Sequence, residues 1–205
     1  MTTYTILLQD AQDWYEDDSA EFVAEIPSLI TRAEERIFKD IPNLPAFRTS
    51  ETGTLTGSTA TLAKPTGLRV TRAISLTVSS VETFLERRID SYLRDLHPNA
   101  TTEGQPTIYS EDDETNFRFA PTPDTTYTYT VYYQRKPTGL TSSNVTTHLG
   151  TNYYDMLLYC VLWRSGLILK DYDAAKAHKD DYMEESARVA AEVQRMYANE
   201  YGSGA

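Results

Sequence analysis

The sequence predicts an α+β fold: a helical bundle formed by the N- and C-terminal segments, with an antiparallel β-rich region inserted between them. Three observations lead there. Apolar residues recur at helical spacing toward both ends, they alternate with a period of two between Phe47 and Arg135, and neither terminal segment can bury its apolar surface alone. The expected ranges are 1–45 with 150–200 for the discontinuous bundle, 46–149 for the insertion, which also holds one short helix, and 201–205 for a flexible tail. A chain of 205 residues, 40% hydrophobic and 24% charged, removes about 70% of its extended surface from water, which excludes bulk disorder.

Near the start, Ile6, Leu7, Ala11 and Trp14 share one helix face, and Asp17, Asp18 and Ser19 break it. Ser19 is placed to cap a short turn through Phe22 and Val23. Pro27 suits the first position of a new helix, where its missing amide hydrogen is no loss. Ile30, Ala33, Ile37 and Phe38 form the stripe of that helix, and Pro42 with Pro45 stops it. Thr52 to Thr56 and Thr59 to Leu62 then flank Gly57-Ser58, which predicts a tight hairpin. Leu68, Val70, Ile74, Leu76 and Val78 alternate with polar neighbours as a half-buried strand, interrupted at Arg72. Ile89 to Leu96, with Tyr92, Leu93 and Leu96 at helical spacing and Pro98 beyond, reads as the short helix. Phe117 and Phe119 alternate around Arg118, and Tyr127, Tyr129, Val131 and Tyr133 do the same, with Pro121 to Thr125 as the turn between them. Five to seven strands, all antiparallel, are expected.

The C-terminal third returns to helix. Thr151 or Asn152 can cap a segment whose apolar residues from Met156 to Leu169 cover nearly every face, so it should be surrounded by protein. From Tyr172 onward, Ala175, Lys179, Tyr182, Ser186, Val189, Val193 and Met196 step by three and four, a seam at the heptad period. A helix from Asp173 to Ala198 would be about 39 Å long. Tyr182, Val189 and Val193 are thus candidates for a helix seam, an inter-subunit contact, or both.

The formal charge is -11, and the two ends carry it: residues 1–45 sum to -7 and 171–205 to -4, whereas 46–135 sum to -2 and 136–170 to +2. Such an excess argues against wrapping nucleic acid, which needs a basic stripe, but permits DNA to slide past a wall that repels it. The longest apolar run is broken at Arg164, Ser165 and Gly166, so no membrane association is expected. Met1 to Gln9 has neither the basic flank nor the apolar core of a signal peptide, and a soluble protein made inside the cell is expected. Cys160 has no internal disulfide partner and lies in the most apolar stretch, as a buried structural thiol does. His97, His148 and His178 have no second ligand at metal spacing and read as solvated. With no nucleophile elbow, phosphate loop or dinucleotide fingerprint, the expectation is no catalytic residue, no metal and no cofactor. The run Glu111 to Glu114 reads as a hairpin tip opposite Asn116, and Asp180, Asp181, Glu184 and Glu185 as a solvated helix face. Alternating tyrosines fit a core or a subunit contact better than a ring-stacking platform.

Several short pieces occur in a telling order. They are Phe22-Val23-Ala24-Glu25-Ile26-Pro27, Ala33-Glu34-x-Arg36-Ile37, Arg94-Asp95-Leu96-x-Pro98, Gly104-x-Pro106, Ala120-Pro121-x-Pro123-Asp124, and Leu157-Leu158-Tyr159 with the Lys170-Asp171 turn. In combination, over nearly the full chain, this order resembles the head-to-tail adaptor proteins of tailed bacteriophages. The resemblance implies a non-enzymatic neck protein of the virion, assembled in the host cytoplasm as a ring, commonly of twelve copies, beneath the portal. It implies the portal protein and tail or nozzle proteins as partners, with double-stranded DNA passing through unbound. It also implies that the C-terminal segment reaches the portal, a role that would fall here to Met196, Tyr197 and Tyr201. Two other readings stay open at this point: a stopper or tail terminator, and a tail-associated glycan hydrolase or binding module.

Overall fold

The computed structural model describes residues 3–99 and 101–202, and the chain divides into two units, Met1–Ala46 with Pro137–Ala205, and Phe47–Lys136. Its helices are α1 (Thr3–Tyr15), α2 (Ala20–Asp40), α3 (Asp90–Leu96), α4 (His148–Asn152), α5 (Tyr154–Leu169) and α6 (Tyr172–Gly202). Its strands are β1 (Arg48–Leu55), β2 (Thr61–Ala63), β3 (Leu68–Val78), β4 (Val81–Phe84), β5 (Glu86–Arg87), β6 (Glu103–Gly104), β7 (Ile108–Glu111), β8 (Asn116–Ala120), β9 (Thr122–Pro123) and β10 (Tyr127–Arg135). The class is α+β, with helices from the two ends of the chain in one unit and the strands in the other.

In the helical unit α5 packs against α1, α2, α4 and α6. Met156, Leu157, Leu158, Cys160, Val161 and Leu162 of α5 are buried, because an apolar sequence on almost every face needs neighbours on almost every side. Leu167 and Ile168, at its end, are exposed, so the expected enclosure stops one turn short. A β-carbon added at Gly166 would lie 2.9 Å from Ala175 Cβ and 2.7 Å from Tyr15 Oη, so α1, α5 and α6 meet there. Lys170, with φ 61°, turns the chain, and the Asp171 carboxylate accepts the Ala174 N–H at 3.1 Å to start α6.

Two helix boundaries and one seam position differ from expectation. Ser19 does cap, its Oγ accepting the Phe22 N–H at 3.3 Å, but the helix it starts runs straight through Pro27. Phe22, Ile26, Leu29, Ile30, Ala33 and Ile37 form a single buried stripe, and their burial outweighs one missing hydrogen bond. Thr151 and Asn152 lie inside α4, which Thr147 caps by accepting the Gly150 N–H at 3.2 Å. In the seam of α6, His178 is buried in place of Lys179, which is exposed.

The strand unit contains a four-stranded sheet in the order β1-β10-β3-β4 and a second in the order β2-β8-β7-β5. Leu55, Ile74, Leu76, Tyr109, Phe117, Phe119, Tyr127, Tyr129, Val131 and Tyr133 form one buried cluster from both sheets. The alternating tyrosines of β10 therefore fill a core. No Gly57-Ser58 hairpin forms: β1 pairs with β10 and β2 with β8, and the segment between crosses from one sheet to the other. Ten strands occur among the described residues, and two pairs are parallel, β5 with β7 and β6 with β9. The helix α3 explains the first, since it is the crossover that a parallel pair requires. In β3 the register slips at Arg72, where Tyr132 faces Ala73 and Tyr133 faces Thr71. This bulge reverses the alternation, so Thr71 is buried and Val70 is exposed against expectation.

Candidate interaction surfaces

The seam residues Tyr182, Val189 and Val193 are buried inside the helical unit. Tyr182 donates its hydroxyl to Asp40 Oδ2 at 2.7 Å, and its ring stacks on Trp163 with centroids 6.0 Å apart. Burial, and then the hydrogen bond to Asp40, hold this phenol far above its ordinary range. Arg36 pairs with the same carboxylate at 2.7 Å, and Lys179 and Arg36 both lie over the Trp163 ring. The chain's own helices thus occupy this face of α6. Beyond it, Met196 is 41% exposed. Tyr197 donates its hydroxyl to the Asn43 carbonyl, which ties the last turns of α6 to the segment after α2. The backbone of Tyr201 is helical, and its side chain lies outside the described residues, as do residues 203–205 of the expected tail.

Where α1, α5 and α6 meet, Trp14 is 57% exposed, with Leu167, Ile168 and Tyr172 also exposed on the two neighbouring helices. Asp13, Glu16, Asp17 and Asp18 line an open depression beside the end of α1. Beneath Trp14 sits His178, only 8% exposed, its ring edge-on to the indole at 5.2 Å and to Tyr15 at 6.2 Å. Its Nδ1 is 3.7 Å from Asp181 Oδ2, too far for a hydrogen bond. Desolvation is the larger effect, so the imidazole is held below its ordinary range despite the nearby carboxylates. The expectation that His178 is solvated is corrected here: the seam spacing admits position 178 or 179, and the imidazole can be buried neutral while an ammonium cannot. Tyr15 donates to the Leu162 carbonyl at 2.8 Å, and burial, then Asp171, push its phenol up to about 12.

In the strand unit, all four residues of β4 are exposed, with Val81 at 62% and Phe84 at 59%. Ile89, Tyr92 and Leu96 on and before α3 are exposed as well. An open depression of about 660 Å³ beside the start of α3 is lined by Arg87, Arg88, Ile89, Asp90, Tyr92 and Glu111. Its charges are paired: Arg87 meets Glu111 at 2.8 Å, Arg88 meets Glu86, and the Arg88 guanidinium lies 5.2 Å over the Tyr92 ring. Behind it, Asp112 takes Arg118 at 3.2 Å and Arg94 at 3.0 Å, which holds its carboxyl below the usual range. Asp113 closes the β7–β8 hairpin by accepting the Thr115 and Asn116 backbone amides at 2.6 and 2.7 Å, and hydrogen bonds from the Asn116 side-chain amide and the Thr115 hydroxyl, with smaller help from these backbone ones, hold its carboxyl far below that range. Glu111, Asp112 and Asp113 are therefore spent on loop geometry and ion pairs. Among the described residues no group of three or more His, Cys, Asp or Glu could hold a metal ion, and no helix is long and apolar enough to cross a membrane. Cys160 is fully buried, and desolvation pushes its thiol up to about 11.

Sequence reasoning missed the β4 edge, because it missed β4 itself. A four-residue strand with no alternation leaves no periodic signal, and only the exposed Val81 and Phe84 mark it.

These surfaces offer aromatic and aliphatic side chains for burial against other proteins, which is the chemistry of an assembly part. The model of the SU10 adaptor protein family matches residues 2–203, and the chain belongs to that family, a phage head-tail adaptor family. It is accordingly a structural adaptor protein and a component of the virion. No curated protein matches the chain.

Proposed function

We propose that this adaptor assembles as a ring, of twelve copies, beneath the portal in the neck of the particle, joining the head to tail or nozzle proteins and leaving a bore for double-stranded DNA. The family match over residues 2–203 carries this reading, because it covers both units and not a shared fragment of one. Portal docking is assigned to the C-terminal end of α6, with Met196, Tyr197 and Tyr201 as anchors. In its support, Met196 is exposed while Tyr197 fixes the direction in which the segment leaves Asn43. Tyr182, Val189 and Val193 act within the chain, as the seam that keeps α6 straight against its own bundle. No cofactor or chemical step is part of the function.

The experiment is to mix the full chain, and a chain ending at Met196, with the purified portal protein and image both mixtures. Rings of copies on the portal with the full chain, and none with the shortened chain at unchanged far-UV dichroism, are the expected results. Equal binding by the shortened chain removes the C-terminal segment from the mechanism. A full chain that leaves the portal bare overturns the ring itself.

A further inference from the structure

The outer strands β1 and β4 of the four-stranded sheet are matched to each other. Each neighbouring pair in the order β1-β10-β3-β4 is antiparallel, so with four strands the two outer ones run in opposite directions. Rotating one copy onto the next about a common axis therefore brings β4 of one beside β1 of the other in antiparallel sense, the stronger pairing geometry. The amide of Leu85 donates to the Ile74 carbonyl at 2.8 Å, which makes residues 81, 83 and 85 the ones bonded toward β3. The backbone groups of Glu82 and Phe84 then point away from the sheet, where a further strand would meet them. Natural edges are guarded by charged side chains, proline or a covering element. Here β4 shows Val81 and Phe84 to solvent, its one charge, Glu82, is drawn back onto the sheet by the Ser75 and Tyr132 hydroxyls at 2.6 and 2.7 Å, and β1 shows Ser50, Glu51 and Thr52. A second copy suits this edge because it brings the complementary one: its β1 is the other outer strand of the same sheet and runs in the opposite sense.

We propose that β4 of one copy pairs antiparallel with β1 of the next, so that the sheets of neighbouring copies join edge to edge into one continuous belt. This deepens the ring reading above and rests on it.

Cysteine pairs test it. Strand neighbours sit about 4.5–5.5 Å apart between Cα atoms, within reach of a disulfide, and the one native cysteine, Cys160, is buried and silent. Thr83→Cys combined in turn with Ser50→Cys, Glu51→Cys or Thr52→Cys is mixed with the portal protein and oxidised. At least one pair should give a ladder of linked copies, and Thr83→Cys alone should give none. Rings visible on the portal without a ladder from any pair overturn the edge pairing and leave the ring standing. Linked dimers from Thr83→Cys alone mean that β4 meets β4 across a twofold axis, which also overturns it. Absence of rings overturns both readings. As a second probe, Phe84→Lys places a guarding charge on the edge: unchanged melting with loss of ring formation supports the pairing, and full ring formation counts against it.

Discussion

His178 shows how a single position can be decided by which charge state survives burial. Its imidazole faces Trp14 and Tyr15 of α1, with Asp181 on its own helix and Asp171 in the turn before it. Desolvation favours the neutral ring and outweighs those carboxylates, so the folded-state pKa lies below 6.5. In the unfolded chain the same group takes up its proton near about 6.5. The folded state thus binds fewer protons in the interval between the two values. The stability that His178 contributes is complete above about 6.5 and is lost as pH falls through the lower folded value. Melting temperatures at pH 7.0, 6.0 and 5.0 should fall more steeply for the native chain than for His178→Phe, which keeps a ring against Trp14 but does not titrate. Parallel curves for the two would show that the proton does not enter. Glu34 makes a similar point with an acid. Both of its carboxylate oxygens accept the Leu140 amide, at 3.1 and 3.0 Å, and a β-carbon on Gly139 would lie 2.6 Å from Oε2. Nothing in the local pattern around Glu34 marks it as buried, because its partner is 106 residues away.

At the scale of elements, the sequence was most legible where one face is buried over several turns or several strand residues. The stripes of α2 and α6 and the tyrosine alternation of β10 were readable for that reason: packing against a long apolar neighbour imposes a period. Short or two-sided elements were not. The bulge at Arg72 shifts β3 by one residue, and no composition rule says that Thr71 will then face inward and Val70 outward. The parallel pairing of β5 with β7 depends on where α3 crosses, a long-range outcome. Pro27 is the instructive miss, since a residue that usually begins or ends a helix sits well inside α2 on its exposed side. Because no buried contact depends on its ring, Pro27→Ala should restore the amide donor at little packing cost. The gain is about 2 kcal/mol, from the helix-interior penalty of proline less the extra freedom that alanine has in the unfolded chain. Urea unfolding followed at 222 nm should show a higher midpoint with an unchanged slope. A lower midpoint would mean that the proline is required by the conformation of this stretch.

For the whole molecule, charge is the property that position in the sequence distributes most unevenly. Both acid-rich ends of the chain, 1–45 and 171–205, belong to the helical unit, while the strand unit is nearly neutral, with Arg87, Arg88, Arg94 and Arg118 held in ion pairs. Binding duplex DNA would require several cations free to neutralise phosphates, each releasing counterions. Arg87, Arg94 and Arg118 each already face a carboxylate of the same unit. If this adaptor lines a bore for the genome, as proposed above, it has reason to repel DNA, because each phosphate contact would slow transit and a ring would multiply every contact by its copy number. The expected outcome is no retardation of a 100-base-pair duplex by the purified chain at about 50 mM salt, the condition most favourable to phosphate contacts. Saturable retardation at micromolar protein, weakening steeply as salt is raised, would mean that enough cations are free to hold DNA, and the proposed passage of DNA through the ring would then need a step that releases it.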